Sequence, residues 1–139
     1  MHIEKKANKI TRDMVKILIV EDDPLLSRMY REIFSSAEYK VEVALDGQEG
    51  IDKAKSFEPD IILLDIMMPK MDGLTALDIL KKDTKLKSIP VVMLTNIADS
   101  DSTDKALSKG AVKYIVKSEY DPNQVIEMVS SVLAKPSKN

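Results

Sequence analysis

Five polar residues directly follow apolar segments rich in Val and Ile. They are Glu21 and Asp22 after residues 16–20, Asp65 after residues 61–64, Thr95 after residues 91–94, and Lys117 after residues 111–116. In an open parallel sheet, ligands bind outside the carboxyl ends of the strands, so we expect these side chains to converge. Because they come from four separate segments, their convergence depends on the fold rather than on a local motif.

Three carboxylates brought together at such an edge repel one another, and protonation, a bound cation or both must relieve the repulsion. Lys117 supplies one positive charge, and a hard cation could supply the rest. The chain contains no cysteine, so a metal must be held by oxygen ligands. Mg²⁺ commonly binds one or two carboxylates together with phosphate and water, and Mn²⁺ accepts the same ligands. The sequence therefore predicts a site for Mg²⁺ or Mn²⁺.

Apolar runs alternate along the chain with segments of helical spacing. This pattern predicts βα units and a parallel sheet covered on both faces, and these elements must position the polar residues. The predicted strands are residues 16–20, 41–44, 61–64, 91–94 and 111–116. Five helices are predicted: from Pro24 to about Ser36, from after Asp46-Gly47 to before Pro59, and over residues 74–82, 99–109 and 122–134. The fourth helix has little beyond Ala106 and Leu107 to bury, so we expect packing to hold it weakly.

Length and composition favour a single domain, because 139 residues with 44% hydrophobic content suffice for one core and not for two ordinary domains. We expect a charged N-terminal extension at residues 1–13, the folded domain at residues 14–135 and a polar tail at residues 136–139. No output domain is expected to follow the last helix.

The charge balance argues against partners that need a strongly basic surface. Lys plus Arg number 21 against 23 Asp plus Glu, for a formal charge of -2, so no direct contact with nucleic acid or membrane is expected. The N-terminus lacks the apolar core of a signal peptide, and no apolar run approaches the length that spans a bilayer. We therefore expect a cytoplasmic protein.

The motifs resemble those of response-regulator receiver domains of two-component signalling, and the resemblance covers about Val15 to Ala134. They are Ile-Val-Glu-Asp-Asp-Pro at 19–24, Leu-Asp-Ile-Met-Met-Pro-Lys-Met-Asp-Gly at 64–73, Leu-Thr at 94–95 and the lysine at 117. The resemblance implies a flavodoxin-like, doubly wound α/β fold with a five-stranded parallel sheet in the order 2-1-3-4-5 and five helices.

By that resemblance, Asp65 is the phosphoacceptor. Asp22, Asp65 and the backbone carbonyl of Met67 bind Mg²⁺ directly, Glu21 acts through water bound to the metal, and Asp23 is a loop or cap residue. The phosphoryl donor is a histidine kinase or a histidine phosphotransfer protein.

The resemblance also gives roles to three residues on the last two strands. Thr95 and Lys117 would contact phosphoryl oxygens, and Tyr114 would reorient as Thr95 moves. The implied function is a phosphorylation switch rather than an enzyme. Its surface of helix 4, strand 5 and helix 5 would bind an unknown downstream protein or a second copy as a phosphorylation-dependent homodimer.

Two features depart from the pattern or vary within it. Receivers usually have a proline after this lysine, in a cis peptide, whereas this chain has Ser118. A cis bond there would cost about 3–4 kcal/mol, so the bond is either trans with an altered loop or cis and held by the site. Met67 and Ile97 lie two residues beyond Asp65 and Thr95, and neither side chain can orient a water, which predicts slow self-dephosphorylation.

Three alternatives remain at this stage. A magnesium-dependent phosphatase of haloacid dehalogenase type also uses a strand-end aspartate, but it has its acid/base aspartate where this chain has Met67. The second alternative is a receiver-like scaffold that is never phosphorylated, and only the intact set of acceptor residues argues against it. A flavodoxin-like cofactor binder needs a first loop that accepts phosphate, and residues 21–24 would repel it.

Overall fold

Strands and helices alternate along the whole of the computed structural model, which describes residues 15–134. The strands are β1 (Lys16–Val20), β2 (Lys40–Ala44), β3 (Ile61–Leu64), β4 (Val91–Thr95) and β5 (Lys113–Val116). The helices are α1 (Pro24–Ser36), α2 (Gly47–Phe57), α3 (Gly73–Lys82), α4 (Ser100–Ser108) and α5 (Pro122–Ala134), with a 3₁₀ turn at Lys117–Glu119. The expected extension at residues 1–13 and tail at residues 136–139 lie outside the described residues.

All four strand pairings are parallel, and the sheet order is β2-β1-β3-β4-β5. This confirms the predicted flavodoxin-like α/β fold. The central strand β3 is buried at every position, as its uninterrupted Ile-Ile-Leu-Leu sequence predicted.

Each strand sends alternate side chains to opposite faces of the sheet, so two cores form. Leu18 and Leu64 face the core beneath α2 and α3, whereas Ile17 and Leu63 face the core beneath α1 and α5. Burial of each such side chain contributes about 1.5–3 kcal/mol, so the strands that carry the site are firmly held.

Several element boundaries differ from the predicted ones by one or two residues. Helix α4 begins one residue later than predicted because Asp99 is its N-cap, with a carboxylate that accepts the Ser102 amide hydrogen at 2.6 Å. Strand β5 begins at Lys113, because the amide of Ala111 still donates to the carbonyl of Ala106 in α4. The strand β4 extends through Thr95.

Helix α4 is the least embedded of the five helices over residues 15–134, as its sequence predicted. Ala106 is its one fully buried residue, whereas Leu107 exposes 45% of its surface. No helix within the same residues is long and apolar enough to cross a bilayer.

Candidate functional site

The register of β1 and β3 brings the first two acids of the site together. Val20 of β1 is paired with Leu64 of β3, so Glu21 and Asp65 leave adjacent strands at the same level. The backbone amide of Asp65 donates to the carbonyl of Val20 at 3.0 Å, which carries the pairing one step beyond the strands. Both residues are buried, with 3% and 6% of their surfaces exposed.

The register of β4 and β5 adds the remaining two strand ends. Thr95 is paired with Val116, so Lys117 is the next residue past the end of β5. Because β3 and β4 are also neighbours, Thr95 and Lys117 lie on the same edge of the sheet as Asp65. Thr95 is buried, with 1% of its surface exposed.

The ammonium of Lys117 joins the two buried carboxylates. Its Nζ donates to Oδ2 of Asp65 at 2.8 Å and also to Oε1 of Glu21. The side chain of Lys117 is only 9% exposed, so water screens these ion pairs weakly. In this arrangement the single positive charge of Lys117 is shared by the two carboxylates.

Backbone amides hold the other oxygen of each carboxylate. Oδ1 of Asp65 accepts from the amide of Ile66 at 2.7 Å, and Oε2 of Glu21 accepts from the amide of Asp23 at 3.0 Å. Both carboxylates are therefore fixed in orientation at two points. The sequence carries no signal for these donors, because every residue except proline has a backbone N–H.

Burial changes the protonation behaviour of this group of charges. Desolvation raises the pKa of Glu21 above its ordinary value, although the hydrogen bond from Lys117 acts in the opposite direction. Burial alone would lower the pKa of Lys117, but its hydrogen bonds to Asp65 and Glu21 outweigh that effect and raise the pKa. The lysine therefore stays charged at neutral pH.

The donor set suits a hard divalent cation. Glu21, Asp22 and Asp65 each offer a carboxylate oxygen, and these oxygens lie within 4.8 Å of one another. An all-oxygen set of this kind is what Mg²⁺ prefers. Met67 lies two residues beyond Asp65 and exposes 68% of its surface beside a cleft of about 540 Å³ that Asp22 also lines.

Asp23 is separate from this set, as the sequence indicated. Its carboxylate accepts the amide hydrogens of Leu25 at 2.9 Å and Leu26 at 3.3 Å, so it caps α1. Pro24 is the first residue of that helix, where the missing N–H costs nothing.

The residue Ile97 links Thr95 to Tyr114 through its backbone. Its amide approaches Oγ1 of Thr95 at 3.4 Å, and its carbonyl accepts from the hydroxyl of Tyr114 at 2.7 Å. Burial raises the pKa of the Tyr114 hydroxyl, so it remains a donor. The sequence points only to the side chain of Ile97 and carries no signal for this backbone connection.

The peptide bond between Lys117 and Ser118 is trans, because the described residues contain no cis bond. Of the two conformations predicted for this position, the trans one is therefore present. The chain then makes the 3₁₀ turn Lys117–Glu119, and the amide of Tyr120 donates to the carbonyl of Lys117 at 3.3 Å.

Comparison with known proteins shows which family has this fold and this arrangement of residues. The sequence model of the response regulator receiver domain matches residues 17–130. The chain belongs to the response regulator receiver domain family. Receiver domains are signalling domains of two-component systems rather than enzymes in the ordinary sense.

Individual relatives agree with the family match. The chain is 39% identical over 122 residues to the chemotaxis protein CheY of Treponema pallidum. That match covers 85% of this chain and 82% of CheY. It is 34% identical over 125 residues to the transcriptional regulator RpaA of Synechocystis, covering 90% of this chain. The chain spans only 52% of RpaA and 56% of the response regulator ArlR of Staphylococcus aureus.

Solved receiver structures superpose closely on this fold. The CheY4 chemotaxis protein of Vibrio cholerae matches with a TM-score of 0.80 at 28% identity, covering 86% of this chain and 98% of CheY4. A structure from Borrelia burgdorferi, described as a CheX-CheY-BeF3-Mg+2 complex, matches with a TM-score of 0.78 at 35% identity. That match covers 87% of this chain and 90% of the Borrelia chain.

Proposed function

We propose that this receiver domain is a phosphorylation switch in which Asp65 accepts a phosphoryl group from a histidine kinase or a histidine phosphotransfer protein. The observation that carries the proposal is the buried Asp65 carboxylate, bonded to Lys117 and close to the oxygens of Glu21 and Asp22. Such a site can neutralise the charge that gathers around a transferring phosphoryl group.

In the proposed reaction, a carboxylate oxygen of Asp65 attacks the phosphorus of a phosphohistidine. The new O–P bond forms as the N–P bond breaks, and the departing imidazole takes up a proton. Lys117 already donates to Asp65 and would donate to a phosphoryl oxygen after transfer. The hydroxyl of Thr95, at the adjacent strand end, would donate to another.

The residues that would hold Mg²⁺ are Asp22, Asp65 and the backbone carbonyl of Met67, with Glu21 acting through water. A bound Mg²⁺ would supply positive charge beside the phosphoryl oxygens. The carboxylate of Glu21 is engaged by Lys117 in the present arrangement. Lys117 and the metal therefore compete for the same negative charge.

The proposed readout uses the backbone of Ile97. When the Thr95 hydroxyl turns to a phosphoryl oxygen, the amide of Ile97 loses its acceptor and the loop between β4 and α4 shifts. Tyr114, which is bonded to the carbonyl of Ile97, would respond. Because α4 is weakly packed, the surface formed by α4, β5 and α5 would change its affinity for a downstream protein or a second copy.

We further propose that the phosphorylated form hydrolyses slowly. The exposed side chain of Met67 and the half-buried side chain of Ile97 flank the site, and neither can orient an attacking water. Met67→Asn should shorten the lifetime of the phosphorylated form, measured by intact mass after removal of the donor. An unchanged lifetime in that variant would contradict the shielding role of Met67.

The test of the main proposal is incubation with acetyl phosphate and Mg²⁺, read by intact mass. We expect one phosphoryl group on the wild type and none on Asp65→Asn. Asp52→Asn is the matched control, because Asp52 is exposed on α2 and away from the strand ends. Labelling of Asp65→Asn equal to the wild type would exclude Asp65 as acceptor, and no labelling at all would favour a scaffold.

A phosphatase of haloacid dehalogenase type predicts a different result in the same assay. It would release phosphate from an ester such as p-nitrophenyl phosphate with many turnovers per molecule. We expect no such turnover, because Met67 stands where that chemistry needs an acid/base aspartate.

A further inference from the structure

The start of α2 touches the loop that follows β3. Gly47 is buried, and a Cβ built on it would lie 2.7 Å from the carbonyl oxygen of Met71 and 3.0 Å from the Met71 Cβ and Cγ. Real Cβ atoms do not approach other heavy atoms so closely, and a backbone oxygen cannot turn aside as a side chain can. Met71 can therefore occupy this place only because residue 47 has no side chain.

The same loop contains a strained turn. The amide of Met71 donates to the carbonyl of Pro69 at 2.7 Å, across Lys70, which has φ 67°. A three-residue turn with a left-handed central residue is a rare γ-turn, and lysine gains nothing from that conformation. Such strain persists only when the surroundings hold it, and the contact of Met71 with Gly47 is part of those surroundings.

The loop between Asp65 and α3 is thus held at two places. The amide of Gly73 donates to the carbonyl of Ile66 at 2.8 Å, which joins the two ends of the loop. On its outer side, Met71 lies against Gly47. The residue Met67 lies between these attachments, and its carbonyl is the one backbone group among the proposed metal ligands.

We propose that Gly47 is a positioning residue for the metal site, acting through Met71 on the loop that carries the Met67 carbonyl. This inference rests on the proposed function, because it assigns Gly47 a part in holding the metal ligand. The contact gives α2, which supplies no ligand itself, control over the affinity for Mg²⁺.

An ion pair between Lys70 and Asp46 also links the loop to the start of α2, and it is weaker than the contact of Met71 with Gly47. Its N···O distance is 3.6 Å, and the Lys70 side chain is 75% exposed. Exposed pairs of this kind contribute little to stability. The close contact of Met71 with Gly47 is therefore the attachment that matters.

The test is the substitution Gly47→Ala. The added methyl group must displace Met71, so we expect Mg²⁺ affinity measured by calorimetry to fall about ten-fold or more, as for other residues that orient a ligand. Amide exchange at residues 66–73 should accelerate in the absence of metal. Labelling by acetyl phosphate should slow at low Mg²⁺ and recover at saturating Mg²⁺, because Asp65 itself is not displaced.

Two control variants separate this role from general crowding. Gly50→Ala adds the same methyl group to the same helix, but toward the side chain of Val20 at 3.0 Å rather than toward the loop. Lys70→Gly removes the ion pair and accepts the positive φ. Lys70→Gly should keep Mg²⁺ affinity near the wild-type value, and Gly50→Ala should lower it less than Gly47→Ala does, because Val20 is not itself a proposed ligand.

Several outcomes would overturn the inference. Wild-type affinity in Gly47→Ala would do so, as would a labelling rate that stays low at saturating Mg²⁺ or an equal loss in Gly50→Ala. If Gly47→Ala fails to fold, Met71→Gly tests the same contact. It removes the Met71 side chain that packs against Gly47, so it should also lower the affinity for Mg²⁺. A wild type that binds no Mg²⁺ would overturn the proposed function as well.

Discussion

The acidic pocket, formed by Glu21, Asp22, Asp65 and Lys117, and helix α4 are held in opposite ways. Asp65 and Glu21 are buried, and each makes two hydrogen bonds to a lysine or a backbone amide. Helix α4 buries Ala106 alone and keeps its N-cap Asp99 exposed. One region is fixed by strands on both sides, and the other rests on the surface.

This difference separates the chemistry of the domain from its output. Phosphoryl transfer needs groups that are already oriented, because reorganisation would add to the barrier. A signal needs an element whose position costs little to change. We therefore expect changes in the pocket to have large effects on stability and labelling, and changes in α4 to have small ones.

The largest expected effect is that of Lys117→Met. It leaves the buried carboxylates of Glu21 and Asp65 without their cation, which should lower the free energy of unfolding by about 3–5 kcal/mol in EDTA. Urea unfolding measures it. Lys105→Met is the control, because that lysine is exposed on α4.

Mg²⁺ should reduce the difference in the free energy of unfolding between Lys117→Met and the wild type. A ligand present at about 100 times its dissociation constant stabilises the folded form by about 2.7 kcal/mol. Without Lys117 as competitor, the variant should bind Mg²⁺ more tightly than the wild type. A variant as stable as the wild type in EDTA would show that the pocket is not held by charge pairing.

Gly73→Ala should have the second-largest effect on stability, because it disturbs the backbone of the acidic pocket. A Cβ at residue 73 would lie 2.0 Å from the carbonyl oxygen of Asp65, so either α3 or Asp65 must move. We expect a loss of about 1–3 kcal/mol in the free energy of unfolding, typical of overpacking, together with slower labelling by acetyl phosphate. Labelling at the wild-type rate would mean that α3 yields and Asp65 does not.

A smaller effect is expected from Asp99→Ala, which removes the N-cap of α4. Amide exchange across Ser100–Ser108 should accelerate several-fold, because the Ser102 amide loses its acceptor, while labelling of Asp65 stays unchanged. Asp99→Ser keeps a capping oxygen and serves as the control. A change in labelling rate would contradict the separation of the two regions.

The smallest effect concerns acid pH. Hydrogen bonds from Ser102 lower the pKa of the Asp99 carboxyl in the folded state. Its contribution to α4 is therefore present above the unfolded pKa of about 3.9 and is lost as pH falls through the lowered folded value. Amide exchange in α4, divided by the intrinsic exchange rate at each pH, should rise in that range in the wild type. It should not rise in Asp99→Ser, because residue 99 then has no group that titrates there.

Much of the fold and of the candidate site was predictable, because both follow from strand ends. The apolar runs before Asp65 and Thr95 marked buried strands, and ligand groups collect where such strands end. What escaped prediction involves backbone groups. The amide of Ile66 at Asp65 and the carbonyl of Ile97 at Tyr114 have no sequence signature, because almost every residue type supplies the same backbone groups.

The sequence by itself determined the parallel α/β fold, the four strand ends that carry the polar residues and the weak packing of α4. These follow from hydrophobic periodicity and side-chain chemistry, which are local properties. Only the tertiary structure decided that Lys117 bridges Glu21 and Asp65, that the bond to Ser118 is trans and that Gly47 lies beneath the loop after β3. The Lys117 bridge and the position of Gly47 depend on distances between segments far apart in the chain, and strand register sets such distances.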